Sequence, residues 1–116
     1  MSTILVVDDE VNLCKLYERE LEDAGYKVIV ANDGVKAVEL VKRNGIDLVV
    51  LDIRMEGQDG IETLRQLVTQ KRNLPVILNT AYSVYRMDFN TWLADAYVIK
   101  SADLSELKGK IEELLS

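Results

Sequence analysis

Acidic, amine and hydroxyl side chains stand directly behind short apolar runs in this sequence. Asp8, Asp9 and Glu10 follow Ile4-Leu5-Val6-Val7, and Asp52 follows Leu48-Val49-Val50-Leu51. Asn79-Thr80-Ala81 follows Val76-Ile77-Leu78, and Lys100-Ser101 follows Tyr97-Val98-Ile99. Taken singly, each residue has an ordinary structural explanation: Asp8 or Asp9 as a helix cap, Asp52 as a strand end, Thr80 as a turn, Lys100 as a solvated charge. Taken together, they would bring three carboxylates, a hydroxyl and an ammonium into one crevice. Carboxylates that close repel strongly unless a cation or a proton intervenes.

A hard divalent cation relieves that repulsion. Mg²⁺ favours oxygen ligands, keeps several waters, and combines one or two carboxylates with phosphate oxygens. Asp9, Asp52 and a backbone carbonyl just beyond Asp52 could supply three positions. Lys100 would face the anion that completes the site, and Thr80 would offer it a neutral donor. Such a set suits phosphoryl chemistry. Neither Gly-x-x-x-x-Gly-Lys nor Gly-x-Gly-x-x-Gly is present, so nothing cradles a nucleotide and the phosphoryl group must come from elsewhere.

Composition narrows the field further. With no histidine, the Ser-His-Asp and Cys-His nucleophile systems and histidine metal sites are excluded; the lone Cys14 excludes intrachain disulfides and Cys-x-x-Cys sites. Twenty acidic against 14 basic residues leave a net charge of −6 with no basic cluster, which argues against direct nucleic-acid binding. Met1-Ser2-Thr3 carries no basic run, and Ile4 to Val7 is too short for a signal peptide or a membrane span. A cytoplasmic protein without membrane association is expected.

Converging such residues requires a sheet whose strands all end on one side. The apolar runs, with Val28-Ile29-Val30, are of strand length, mostly β-branched and apolar on both faces, as strands covered from both sides must be. Between them lie helical periodicities: Cys14, Tyr17, Leu21, Ala24; Ala37, Val38, Val41; Ile61, Leu64, Leu67 or Val68; and Leu104, Leu107, Ile111, Leu114. Gly25 and Gly45 are placed to cap the first two helices, Asp103 with Glu106 to open the last, and Pro75 to begin the fourth strand. The segment from Tyr82 to Leu93 has poor apolar spacing and predicts a short or irregular helix. Alternating units in 116 residues predict one domain over residues 1–116, an α/β doubly wound parallel sheet. Ligands of such sheets bind beyond the carboxyl ends of the strands.

The residues at those ends resemble a response-regulator receiver domain of the CheY-like kind, the phospho-acceptor half of two-component signalling. The likeness spans nearly the whole chain. Val6-Val7-Asp8-Asp9-Glu10 is similar to the family's acidic pair, and Leu51-Asp52-Ile53-Arg54-Met55 with Asp59-Gly60 to its acceptor segment. Thr80-Ala81 resembles its switch hydroxyl, and Tyr97-Val98-Ile99-Lys100 its aromatic and lysine. The resemblance implies a flavodoxin-like (βα)5 fold, a five-stranded parallel sheet in the order 2-1-3-4-5.

It also implies roles. Asp52 would accept a phosphoryl group from a phosphohistidine on a sensor histidine kinase or phosphotransfer protein. Mg²⁺ would be held by Asp9, Asp52 and the backbone carbonyl of Arg54, with Asp8 assisting through water. Lys100 would pair with one phosphoryl oxygen, and the Thr80 hydroxyl and Ala81 backbone amide with another. Phosphorylation would draw in Thr80, turn Tyr97 inward and alter the surface around the fourth helix, fifth strand and fifth helix, controlling a downstream effector protein or output domain. The chain would then be a signalling switch that assists its own phosphorylation and dephosphorylation, rather than an enzyme, with no output domain of its own.

Three departures from the family's pattern stand out. Glu56 and Ser101 replace the usual prolines, leaving the isomer of the Lys100-Ser101 peptide open, and the 20 positions from Thr80 to Lys100 are fewer than usual. Cys14 reads as a small core residue; Trp92 reads equally as a partner contact or a packing anchor. Arg54 and Tyr82, each two residues beyond Asp52 and Thr80, stand where the family modulates loss of the phosphoryl group. Two alternatives are weighed. An aspartate-nucleophile phosphatase needs a second aspartate two positions after its nucleophile, which neither Asp8-Asp9 nor Arg54 supplies. A phosphorylation-independent interaction module of the same fold usually lacks an acidic residue, the acceptor or the lysine, and all are present here.

Overall fold

A computed structural model describes residues 1–55, 58–71, 73–81 and 94–116; of Arg54, Met55, Gln58 and Asp59 only the backbone is described. Five strands, β1 (Thr3–Val7), β2 (Lys27–Ala31), β3 (Leu48–Leu51), β6 (Val76–Thr80) and β7 (Ala96–Ile99), form one sheet. A short antiparallel hairpin of β4 (Arg54–Met55) and β5 (Gln58–Asp59), not anticipated from the sequence, leads into α3. The sheet order is β2-β1-β3-β6-β7 and every pairing in it is parallel. This is the expected flavodoxin-like order, with four helices among the described residues: α1 (Val11–Asp23), α2 (Gly34–Arg43), α3 (Gly60–Gln70) and α4 (Ser105–Leu115).

The period of two along each strand divides the core into two layers. Leu5, Val7, Val49, Leu51, Val76 and Leu78 face Ala37, Val38 and Val41 of α2 and Leu64 and Leu67 of α3. Ile4, Val6, Val28, Leu48, Val50, Ile77 and Val98 face Cys14, Tyr17 and Leu21 of α1 and Leu107 and Ile111 of α4. Consecutive strand residues thus serve opposite layers, which is why the runs are apolar throughout. No helix among the described residues is long and apolar enough to cross a membrane.

Helix ends agree with the sequence only in part. Gly25 takes φ +99°, the backbone region in which glycine alone is unstrained. Gly45 does not adopt a positive φ; α2 ends on an extended Asn44, whose amide donates to the Leu40 carbonyl at 2.9 Å. Ala24, expected on the buried face of α1, is its exposed C-cap. Asp103 and Glu106 form no capping box. Asp103 Oδ1 accepts from the amide and hydroxyl of Ser105, while the Asp103 amide donates to Ser101 Oγ. At the start of α2, Asp33 accepts from the Lys36 amide at 2.7 Å, a cap the apolar periodicity does not reveal. Pro75 does stand just before β6, where its carbonyl accepts from the Val49 amide. The predicted irregular helix, and with it Tyr82 and Trp92, lies outside the described residues, as does Glu56.

Candidate functional site

Three of the strands that feed the crevice are each extended by one backbone hydrogen bond past the last paired residue. The Asp8 amide donates to the Ala31 carbonyl at 3.1 Å, the Asp52 amide to Val7 at 3.0 Å, and the Lys100 amide to Thr80 at 2.8 Å. These bonds carry the sheet's register onto the three residues themselves. Two donors, Asn32 Nδ2 at 2.9 Å and Cys14 Sγ at 3.3 Å, converge on the Asp8 carbonyl and hold the turn leading into α1. Asp8 Oδ1 accepts from the Glu10 amide at 3.0 Å; neither Asp8 nor Asp9 is the N-cap of α1, a position Glu10 takes without a side-chain bond. Beyond Asp52, the Gly60 amide donates to the Ile53 carbonyl at 3.1 Å, and a Cβ at Gly60 would collide with that same backbone. Only glycine permits this approach, which closes the loop carrying the Arg54 backbone.

The charged groups then meet. Lys100 Nζ lies 2.8 Å from Asp8 Oδ2, 3.1 Å from Asp52 Oδ2 and 3.7 Å from Glu10 Oε1. Asp8 and Asp52 are 2% and 4% exposed, so solvent screens them little. Burial by itself would lower the Lys100 pKa, but the hydrogen bonds and charges of Asp8 and Asp52 outweigh it and hold the ammonium above the ordinary lysine range. Asp8, Asp9 and Asp52 each offer one oxygen, and the three lie within 4.8 Å of one another. A hard-oxygen set of this span, with Lys100 the neighbouring ammonium among the described residues, fits a Mg²⁺ ion better than a softer metal.

Thr80 is fully buried at the end of β6, Ala81 beside it is exposed, and Tyr97, opposite Leu78, is half-buried against the layer of α2 and α3. The Lys100-Ser101 peptide is trans, like every peptide among the described residues. Cys14 is the buried core residue expected; burial first, then the charge of Asp8, pushes its thiol up to about 11, which makes it a poor nucleophile. The side chain of Arg54 lies outside the described part.

Sequence reasoning missed two residues. Asn79 adjoins Thr80 at the strand end, yet alternation points the two to opposite layers. Asn79 Nδ2 donates to Tyr17 Oη at 2.6 Å, inside the layer of α1 and α4. The available signal was a lone amide closing an apolar run. Asn32 does its work on a backbone carbonyl, which leaves no trace in side-chain spacing.

Comparison with known proteins agrees with this fold. The model of the family described as the response regulator receiver domain matches residues 4–112. The transcriptional regulatory protein ZraR of Klebsiella oxytoca is 39% identical over 115 residues, covering 97% of this chain and 26% of that protein. The response regulator ArlR of Staphylococcus saprophyticus is 36% identical over 120 residues, covering 99% of this chain and 53% of that protein. The chain thus spans from a quarter to about half the length of these curated relatives. Among solved structures, the response regulator TrrA of Thermotoga maritima with Mg²⁺-BeF superposes with a TM-score of 0.95 at 43% identity, covering 99% of this chain and all of that one. The same protein in complex with the histidine kinase ThkA gives 0.93 at 44% identity, covering 100% of both chains.

Proposed function

This chain belongs to the response regulator receiver domain family, and from that premise we propose that it is a phospho-accepting switch in which Asp52 is the acceptor. The observation that carries this reading is the position of Lys100 Nζ, within hydrogen-bond reach of both Asp8 and Asp52 at the edge of the three-carboxylate cluster. An Asp52 oxygen attacks phosphorus, the bond to the donor's imidazole nitrogen breaks, and the imidazole leaves with its electron pair. Phosphoryl transfer of this kind needs alignment and charge neutralisation more than it needs a proton carrier, which suits a chain without histidine.

Asp9, Asp52 and the Arg54 backbone carbonyl, with Asp8 assisting through water, would hold Mg²⁺, which would neutralise the carboxylates and the incoming oxygens when bound. Lys100, already 3.1 Å from Asp52 Oδ2, exchanges a carboxylate partner for a phosphoryl oxygen. The Thr80 hydroxyl and the Ala81 amide take another. The charge at Asp52 rises from one negative to about two, and this change draws Thr80, and after it Tyr97, toward the site. The TrrA complexes support a divalent metal and a histidine kinase as partners; a phosphotransfer protein offers the same chemistry. Downstream, an effector protein or output domain reads the altered surface, in a cytoplasmic pathway of two-component type.

Incubation with Mg²⁺ and acetyl phosphate tests the assignment by intact mass. One added phosphoryl group in the wild type, absent from Asp52→Asn, is the expected result. No labelling would favour an inert interaction module, and steady turnover of varied phosphate esters a phosphatase.

A further inference from the structure

One buried polar contact lies directly under the site and takes no part in the chemistry just described. Tyr17 and Asn79 are 1% and 2% exposed, and the 2.6 Å bond from Asn79 Nδ2 to Tyr17 Oη crosses from β6 to α1 within an otherwise apolar layer that includes Ile77, Val98, Leu107 and Ile111. Packing alone would be served by apolar residues at both positions, without the cost of desolvating an amide and a phenol. What the pair adds is direction, because a short bond between two buried groups restricts distance and angle as van der Waals contact does not.

Its two ends belong to different halves of the site. Tyr17 lies on the helix that follows the Asp8-Asp9 turn. Asn79 immediately precedes Thr80, whose carbonyl accepts from the Lys100 amide and whose register partner is Ile99. Asp8, Asp9 and Asp52 stand on the ends of β1 and β3; Thr80 and Lys100 stand on the ends of β6 and β7. The bond between β6 and α1 therefore joins the carboxylate half to the half that receives the phosphoryl oxygens. The Tyr17 hydroxyl also senses both halves: burial pushes its pKa up, while the Asn79 bond and the Lys100 charge oppose that rise and the Asp8 and Asp52 charges add to it.

We propose that Tyr17 and Asn79 form a positioning pair that holds the end of β6 in register with the acidic turn and so sets the rate at which Asp52 accepts a phosphoryl group. This rests on the assignment of Asp52 as acceptor. The pair touches neither metal nor phosphoryl group, so its loss should slow transfer while leaving metal affinity almost unchanged.

The test compares Tyr17→Phe, Asn79→Leu and the double variant, in the full chain, by phosphorylation rate with acetyl phosphate at saturating Mg²⁺, by Mg²⁺ calorimetry and by melting temperature. Each single variant is expected to accept phosphate about tenfold more slowly, with the Mg²⁺ Kd within about twofold of wild type. The double variant should be no slower than either single, since all three lose one contact, and should regain much of the melting temperature because no buried donor is left unpaired. Recovery of rate along with stability in the double variant would overturn the proposal, as would a wild-type rate in either single variant. If Tyr17→Phe fails to fold, Asn79→Leu and the double variant decide the matter. Absence of labelling in the wild type would instead remove the acceptor assignment itself.

Discussion

Replacing the acceptor, Asp52→Asn, should leave the metal-free protein as stable as before or slightly more so, although it removes one partner of a buried ion pair. The site contains opposing terms of known span. At an effective dielectric constant of about 20, the Lys100–Asp52 contact at 3.1 Å is worth about 5 kcal/mol. Asp52 also faces Asp8 and Asp9 across at most 4.8 Å, and each of those repulsions costs at least about 3.5 kcal/mol on the same scale. Attraction and repulsion come within about 2 kcal/mol of each other, with the balance favouring removal of the charge. For a chain of 116 residues a margin of about 2 kcal/mol corresponds to a rise of about 10 °C in melting temperature. Mg²⁺ reverses the order. A site filled at about a hundred times its Kd adds about 2.7 kcal/mol to the wild type, and the variant, lacking one of three carboxylates, should gain clearly less. Thermal and urea melts with and without Mg²⁺ measure both quantities. A loss of more than about 2 kcal/mol in the metal-free variant would mean that the Lys100 attraction dominates and that the carboxylates do not repel as their spacing requires. Equal Mg²⁺ stabilisation of the two proteins would refute metal binding at Asp52.

Lys100→Met should act in the opposite sense, costing about 3–5 kcal/mol in metal-free urea denaturation, because it leaves Asp8 and Asp52 buried without their cation. Gly60→Ala should cost about 1–3 kcal/mol in the same assay and slow phosphorylation, since its Cβ would displace the Ile53 backbone. Gly109→Ala within α4 meets open space and should instead stabilise by about 0.5–1 kcal/mol. The Cys14 thiol, pushed up to about 11 from an ordinary value of 9.0, ionises more readily unfolded than folded. Its contribution is therefore complete below pH 9 and lost as pH rises toward 11. Urea midpoints of the wild type should fall more steeply over that window than those of Cys14→Ala.

The strands were legible because each apolar run serves two layers at once, so nearly every position in it must be hydrophobic. The strand-end residues were legible for a related reason: a parallel sheet directs all its carboxyl ends to one side, so polar groups behind successive runs must come together. Asp8, Asp52 and Lys100 can be located in this way from the sequence alone, and four short motifs in order point to the family. Spacing along the chain does not carry the contacts made across it. That Lys100 joins Asp8 to Asp52, that Asn32 and Cys14 hold the Asp8 carbonyl, and that Gly60 lies against Ile53 all depend on distances between segments far apart in order. Asn79 is the clearest case. Next to Thr80 in sequence, it faces the opposite layer because side chains alternate along a strand, and only packing of α1 across β6 supplied the Tyr17 hydroxyl that a buried amide requires.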